Sequence, residues 1–209
     1  MKRMTVSGLL VAAMLIVAGC ASTSLPGWIT LIDGEKGLEN FNRIGDANWR
    51  AEGGAIVADK GKGSSHLVTK NSYKDFEIYA EVWADDKTNS GIFLRAADPK
   101  KVGADSSYEV NIFDQRPGQE YATGAIVGFA QVPVPIIYRA GDGKGGGKWN
   151  TFEIHAQGSH ITVKFNGVVT VHLDDRKYAS GPFTLQFANG PKDAPGGPIK
   201  WRKVMVKPL

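Results

Sequence analysis

Nine residues, FEIYAEVWA from Phe76 to Ala84, alternate without a break. Phe76, Ile78, Ala80, Val82 and Ala84 fall on one side, and Glu77, Tyr79, Glu81 and Trp83 on the other. Successive side chains of a strand point to opposite faces, so this run sets one face on a core and turns the other outward. A helix would scatter the same residues around its circumference. The period recurs. YEVNIFD sets Tyr108, Val110 and Ile112 against Glu109, Asn111 and Phe113. FEIHAQG sets Phe152, Ile154 and Ala156 against Glu153, His155 and Gln157, and FTLQFAN sets Phe183, Leu185 and Phe187 against Thr184, Gln186 and Ala188. ITVKFNGVVTVHLD reads as a whole hairpin, with Asn166-Gly167 supplying two residues that accept positive φ between β-branched arms. WRAEGGAIVA reads as another, turning at Gly53-Gly54. After residue 27 no stretch keeps a 3.6-residue apolar period for three turns. Many short strands, turn signals between them and no helices predict an all-β, two-sheet antiparallel sandwich. No blade-like repeat supports a propeller.

The start of the chain follows different rules. Met1-Lys2-Arg3 is basic, and Gly8 to Ala18 is an almost unbroken apolar run. That run is too short to span a bilayer and matches the core of a signal peptide. It ends in VAGC, Val17 to Cys20, which resembles the bacterial lipoprotein processing signal. The chain has one cysteine, so it forms no internal disulfide, and Cys20 is the expected site of lipid attachment. Each buried methylene of an attached chain contributes about 0.8 kcal/mol, and two or more chains anchor a protein stably. Ala21, not aspartate, follows Cys20, which by resemblance to lipoproteins predicts the outer membrane of a bacterial envelope. The expected organisation is a signal peptide over 1–19, a lipidated cysteine and tether over 20–27, and one domain over 28–209. Loss of the signal peptide takes away Lys2 and Arg3, which lowers the formal net charge from +4 by two. No basic block interleaved with aromatics remains, so nucleic acid is not an expected partner.

NSGIFLRAA, Asn89 to Ala97, places an arginine where a strand is expected. With Ile92 and Leu94 facing the core, Phe93 and Arg95 face outward. Charged residues on an outer face are routine. These faces, however, also carry Tyr79, Trp83, Phe93 and Phe113 among Glu77, Glu81, Glu109 and Asn111. Aromatic rings that stack on C–H groups, mixed with polar groups that bond hydroxyls, suit a carbohydrate. A covering loop would satisfy the same apolar surface. Glu109 and Arg95 also fit a plain cross-strand ion pair, worth about 0–1 kcal/mol when exposed. Among the four histidines none stands at metal-ligand spacing. His155 shares a polar face with Glu153 and is the one expected in a site, with His66, His160 and His172 read as surface or strand residues. GDGKGGGK, Gly141 to Lys148, lacks a Walker pattern and precedes a strand, so it reads as a surface loop. No serine sits in a nucleophile elbow.

GWITLIDGEKGLENFN, WRAEGGAIV, YKDFEIYAEVWADDKTNSGIFLRAA, YEVNIFD, TGAIVG, KWNTFEI, ITVKFNGV and GPFTLQF follow one another in order. Together they resemble the 3-keto-disaccharide hydrolase domain family of bacterial exported proteins. That resemblance implies a concanavalin A-like jelly roll and action on glycosides already oxidised to a ketone at the third carbon of the sugar. A ketone acidifies the neighbouring C–H, so a base removes that proton, the aglycone leaves by elimination, and water then adds. Such a route needs a general base and a stabiliser of the enolate oxygen. Carried onto this chain, the resemblance makes Glu109 the base and Arg95 the stabiliser. Asn111, Asp114, Glu81, Trp83, Phe93, His155 and Gln186 are then expected to bind substrate. No cofactor is evident; a divalent cation would serve beside or instead of the arginine. After Gln186 the chain departs from the family pattern, with Phe187, Ala188 and Asn189 before a Pro- and Gly-rich stretch where many members carry a histidine or aspartate. Val132 to Ile137 is apolar and Pro-rich and reads as a loop across one face. Three functions stand at this point: an oxidised-glycoside hydrolase, a carbohydrate-binding lipoprotein without catalysis, and a structural envelope protein with a filled groove.

Overall fold

The computed structural model describes residues 25–133, 138–190, 192 and 194–209. The signal segment and Cys20 lie outside the described residues, as does the greater part of the apolar loop beginning at Val132. Thirteen strands in chain order make two antiparallel sheets. They are β1 (Ile29–Asp33), β2 (Phe41–Ile44), β3 (Arg50–Glu52), β4 (Ala55–Ala58), β5 (Ser64–Thr69), β6 (Phe76–Asp85), β7 (Asn89–Leu94), β8 (Tyr108–Phe113), β9 (Gly147–Gln157), β10 (His160–Phe165), β11 (Val168–Asp174), β12 (Thr184–Ala188) and β13 (Ile199–Pro208). The eight-stranded sheet runs β11-β10-β9-β6-β13-β4-β3, with β1 also paired to β13. The five-stranded sheet runs β2-β5-β12-β7-β8. The helical elements with described bounds are two single 3-10 turns, Leu38–Asn40 and Gln119–Tyr121. The expected all-β, two-sheet jelly-roll sandwich is the observed one.

The alternating residues set the layers. Phe76, Ile78, Phe152, Ile154 and Trp201 from the larger sheet meet Leu67, Ile92, Val110, Leu185 and Phe187 from the smaller one in a single core. Each such side chain contributes about 1.5–3 kcal/mol when fully withdrawn from water. Both expected hairpins form. Asn166 and Gly167 take φ of 50° and 79°, and Gly53 and Gly54 take 60° and 78°, as a two-residue turn matching strand twist requires.

The two sheets differ in their outer faces. Along β6 every second residue is half-exposed, whereas β8 and β12 are buried on both faces. The smaller sheet is therefore recessed. Its β8 edge is not free either: Gly124 N–H donates to Asn111 O, and Asn111 and Val127 N–H donate to Ala125 O and Glu109 O, at 2.9–3.0 Å. The backbone that carries Glu109 and Asn111 is thus hydrogen-bonded on both sides, by β7 and by the segment after the 3-10 turn at Gln119–Tyr121.

Candidate functional site

Register places two parallel rows of side chains across the outer face of the five-stranded sheet. Residues opposite each other in an antiparallel pair point to the same side. Ile44 opposes His66, His66 opposes Gln186, and Gly91 opposes Asn111. The pairing of Leu185 with Ile92 sets Gln186 beside Gly91 and joins these into one row. In the next row Asn42 opposes Val68, Val68 opposes Thr184, Thr184 opposes Phe93, and Phe93 opposes Glu109. Glu109, Asn111, Gln186, His66 and Phe93 thus share one face although 16 to 120 positions of sequence separate members of the set from different strands.

The chemistry of these groups is set by their burial. Glu109 is 9% exposed, and among the described residues no donor reaches its carboxylate. Loss of water pushes its pKa up to about 7, with the charge of Arg116 opposing the rise. A carboxyl in that state is balanced between acid and base at neutral pH. His66 is 2% exposed, and burial pushes its pKa down to about 4, so its imidazole is neutral. Gln186 Nε2 donates to Ser64 Oγ at 2.9 Å, Ser64 Oγ meets His66 Nε2 at 2.9 Å, and His66 Nδ1 meets Thr184 Oγ1 at 2.9 Å. Neutral imidazole has one donor and one acceptor nitrogen. The Ser64 and Thr184 hydroxyls thus hold the neutral ring between them, one at each nitrogen. The Phe93 ring stands edge-on to the imidazole, 4.9 Å between centroids, and holds it upright. Asn111 Nδ2 donates to Tyr121 O at 2.6 Å. The carbonyl oxygens of Asn111 and Gln186, Oδ1 and Oε1, are buried and have no partner. A buried acceptor left unpaired costs about 1–3 kcal/mol, so two of them side by side on one face mark a place where something else donates.

Of the residues expected in the site, Glu109, Asn111, Phe93 and Gln186 come together; the others do not. Arg95 is the principal correction. β7 ends at Leu94, and Arg95 takes φ 53°, which breaks the alternation and turns its side chain away from the row. The side chain is 1% exposed. Its guanidinium donates to Lys74 O at 2.8 Å, Gly158 O at 2.8 Å and Tyr178 O at 3.3 Å, lies 3.4 Å from Asp75 Oδ1, and stacks over the Phe76 ring. Its donors are spent on tying loops at one end of the sandwich, not on an anion beside Glu109. Asp114 is also structural. Its carboxylate accepts from Thr123 Oγ1 at 2.6 Å, Ala140 N–H at 2.8 Å and Gly141 N–H at 2.9 Å, which commits both oxygens to holding neighbouring loops.

Glu81, Trp83 and His155 lie on the outer face of the other sheet, across the core from Glu109. Glu81 accepts from Tyr79 Oη and is paired with Arg202. The Trp83 ring lies against Gly147, where a Cβ would approach to 2.3 Å, and under Lys200 Nζ at 4.5 Å from its centroid. His155 Nδ1 is 3.4 Å from Glu77 Oε1, beside a groove of about 670 Å³ lined also by Trp28, Tyr79 and Lys164. The alternating pattern identified both outer faces but not their belonging to different sheets. Among the described residues no cluster of three or more His, Cys, Asp or Glu is placed to hold a metal ion.

Sequence reasoning missed His66, Ser64, Thr184 and Arg116. SSHLV does show His66 facing away from Leu67. Its meeting with Gln186 depends on the pairing of β5 with β12, 116 to 124 residues apart, for which a single sequence carries no signal.

A family model described as the 3-keto-alpha-glucoside-1,2-lyase-like domain matches residues 27–207. Among solved structures, the chain is similar to a candidate glycosyl hydrolase from Parabacteroides distasonis, at 24% identity over 87% of this chain and 99% of that one, with a TM-score of 0.65. A second such protein from the same organism is 16% identical over 88% and 89%, with a TM-score of 0.61. The carbohydrate binding module CBM66 from Bacillus subtilis is 14% identical over 87% and 95%, with a TM-score of 0.57. At these identities the structural likeness shows the shared fold. No curated protein matches the chain.

Proposed function

Since the chain belongs to the 3-keto-alpha-glucoside-1,2-lyase-like domain family, we propose that it cleaves the glycosidic bond of a sugar already oxidised at its third carbon, with Glu109 as general base. Its role is carbohydrate-related, and its domain is of the glycosyl hydrolase-like kind. The observation that carries the catalytic reading is the Glu109 carboxyl: recessed, without a donor, and titrating near neutrality. In the proposed step Glu109 takes the proton on C2, next to the ketone. The C–H electron pair becomes the C1–C2 double bond, the C1–O bond breaks, and the leaving oxygen takes a proton from water. The hydroxide left by that water adds to C1 and Glu109 returns its proton to C2, so the net change is hydrolysis and the base is regenerated. With Arg95 bound to carbonyls, the cation whose charge Glu109 feels is Arg116.

Base catalysis by Glu109 requires the ionised form. The expected kcat/KM for a 3-keto-α-glucoside rises with pH through a midpoint near 7 and levels off above it. In Arg116→Gln the opposing charge is gone, so the midpoint moves to higher pH. A pH–rate profile that is flat between 5 and 8 would remove Glu109 as the base.

One observation favours a second reading, a binding lectin on the same face: the unpartnered amide oxygens await donors whether or not a bond is cut. Turnover assays with 3-keto and ordinary disaccharides, beside binding measurements, separate the two. Binding of both without turnover of either establishes the lectin.

We also propose that the protein sits in a bacterial envelope, anchored through lipid on Cys20, from the basic start, short apolar run and VAGC motif. Labelled palmitate is expected to enter the wild-type chain and not Cys20→Ser, which should leave the membrane fraction. Equal labelling of the two would refute the anchor.

A further inference from the structure

Two amides flank Gly91 in the row across the five-stranded sheet, Gln186 on β12 and Asn111 on β8. Each has its NH2 group committed within the protein, Gln186 to Ser64 Oγ and Asn111 to Tyr121 O. Each leaves a buried carbonyl oxygen with no partner. Gln186 is 7% exposed and Asn111 0%, so bulk water does not satisfy these oxygens. The orientation of the Asn111 amide is fixed, because only its NH2 can meet a backbone carbonyl. Gln186 is held in the same sense by its Nε2–H bond to Ser64 Oγ. Between them stands the one residue of the row with no side chain. Gly91 takes no positive φ; a Cβ there would lie 3.1 Å from the Phe93 ring and 3.3 Å from Glu109 Cγ. The strands of Gln186 and Asn111 are two spacings apart, about 10 Å, too far for one hydrogen bond to close.

We propose that Asn111 Oδ1 and Gln186 Oε1 are a paired hydroxyl reader, so that this site takes an uncharged sugar donating a hydrogen bond to each end and rejects acidic sugars. The free polar groups along the two rows are acceptors: two amide oxygens and, when ionised, Glu109. Hydroxyls donate to all three. A carboxylate or phosphate on the sugar meets only oxygen lone pairs and is repelled. The inference rests on the reading of this face as the carbohydrate site and not on any catalytic role for Glu109. It assigns Gln186 and Asn111 to specificity and leaves the bond-breaking step to other groups.

The test uses the whole domain and calorimetric binding of methyl α-glucoside, maltose and methyl α-glucuronoside. The neutral glycosides are expected to bind at least about tenfold more tightly than the glucuronoside, the order expected when a buried acceptor gains or loses its donor. Gln186→Met keeps the length of the side chain and removes the orphan oxygen. It is expected to weaken neutral-sugar binding about tenfold or more while leaving Tm unchanged or raised, since an unpaired buried acceptor has been removed. Asn111→Leu is the second variant and is expected to weaken binding in the same way. Glucuronoside binding equal to or tighter than glucoside binding overturns the proposal. So does Gln186→Met binding neutral sugar within twofold of wild type, in which case only water fills the orphan positions. Gln186-dependent binding without turnover of 3-keto substrates keeps this inference and ends the catalytic one. Turnover with a KM indifferent to Gln186→Met does the reverse.

Discussion

Glu109→Gln is expected to lower kcat/KM on a 3-keto-α-glucoside by about 10²–10⁴-fold, the usual share of a positioned proton-transfer group. Gln has nearly the same shape, so the recess and its hydrogen-bonded backbone should persist. Retention of activity within tenfold would end the base assignment. The same variant has a second, opposite effect on the fold. The folded pKa of Glu109 is raised from 4.5 to about 7, so its contribution to stability is full below 4.5 and lost as pH rises through about 7. For His66 the folded pKa is lowered from 6.5 to about 4, so its contribution is full above 6.5 and lost as pH falls through about 4. The two windows overlap with opposite slopes, and wild-type stability should be nearly flat between pH 4.5 and 6.5. In Glu109→Gln only the histidine slope remains. Denaturant unfolding should then show stability climbing with pH across that window by an amount on the order of 3 kcal/mol. A wild type that already climbs steeply there would contradict the compensation.

Arg95→Met is expected to destabilise the domain by about 3–5 kcal/mol, the range for breaking a buried charged network by removing one partner. The loss leaves the carbonyls of Lys74, Gly158 and Tyr178 without their donor and Asp75 without its cation. Asp75 keeps one bond, from Gly158 N–H at 2.7 Å. Activity per folded molecule, measured well below the new Tm, should be near wild type. A fold of unchanged stability with activity lost would restore Arg95 to the reaction and contradict the present assignment.

These two residues also show what a sequence discloses. The period of two along YEVNIFD gave the face of Glu109 and Asn111 correctly, because core and outer positions alternate with no exception through β8. The same rule misplaced Arg95, because one residue with positive φ at the end of β7 ends the period and the letters do not announce it. Glu81, Trp83 and His155 followed the rule and were still far from the site. Alternation tells inner from outer, but a sandwich has two outers, and strand pairing decides between them. His66 shows the converse. It is one step from Gln186 in space and far from it along the chain, so nothing local marked it.

One feature of the larger sheet bears on how the protein comes to be folded at all. Strand β13 lies after every other strand in the sequence, yet it occupies an interior position, bonded to β6 along one edge and to β1 and β4 along the other. During synthesis the larger sheet is therefore three separate pieces, β6 with β9 to β11, the β3–β4 hairpin and β1, until Ile199–Pro208 emerges to join them. A stop codon that removes these ten residues splits the sheet instead of trimming an edge.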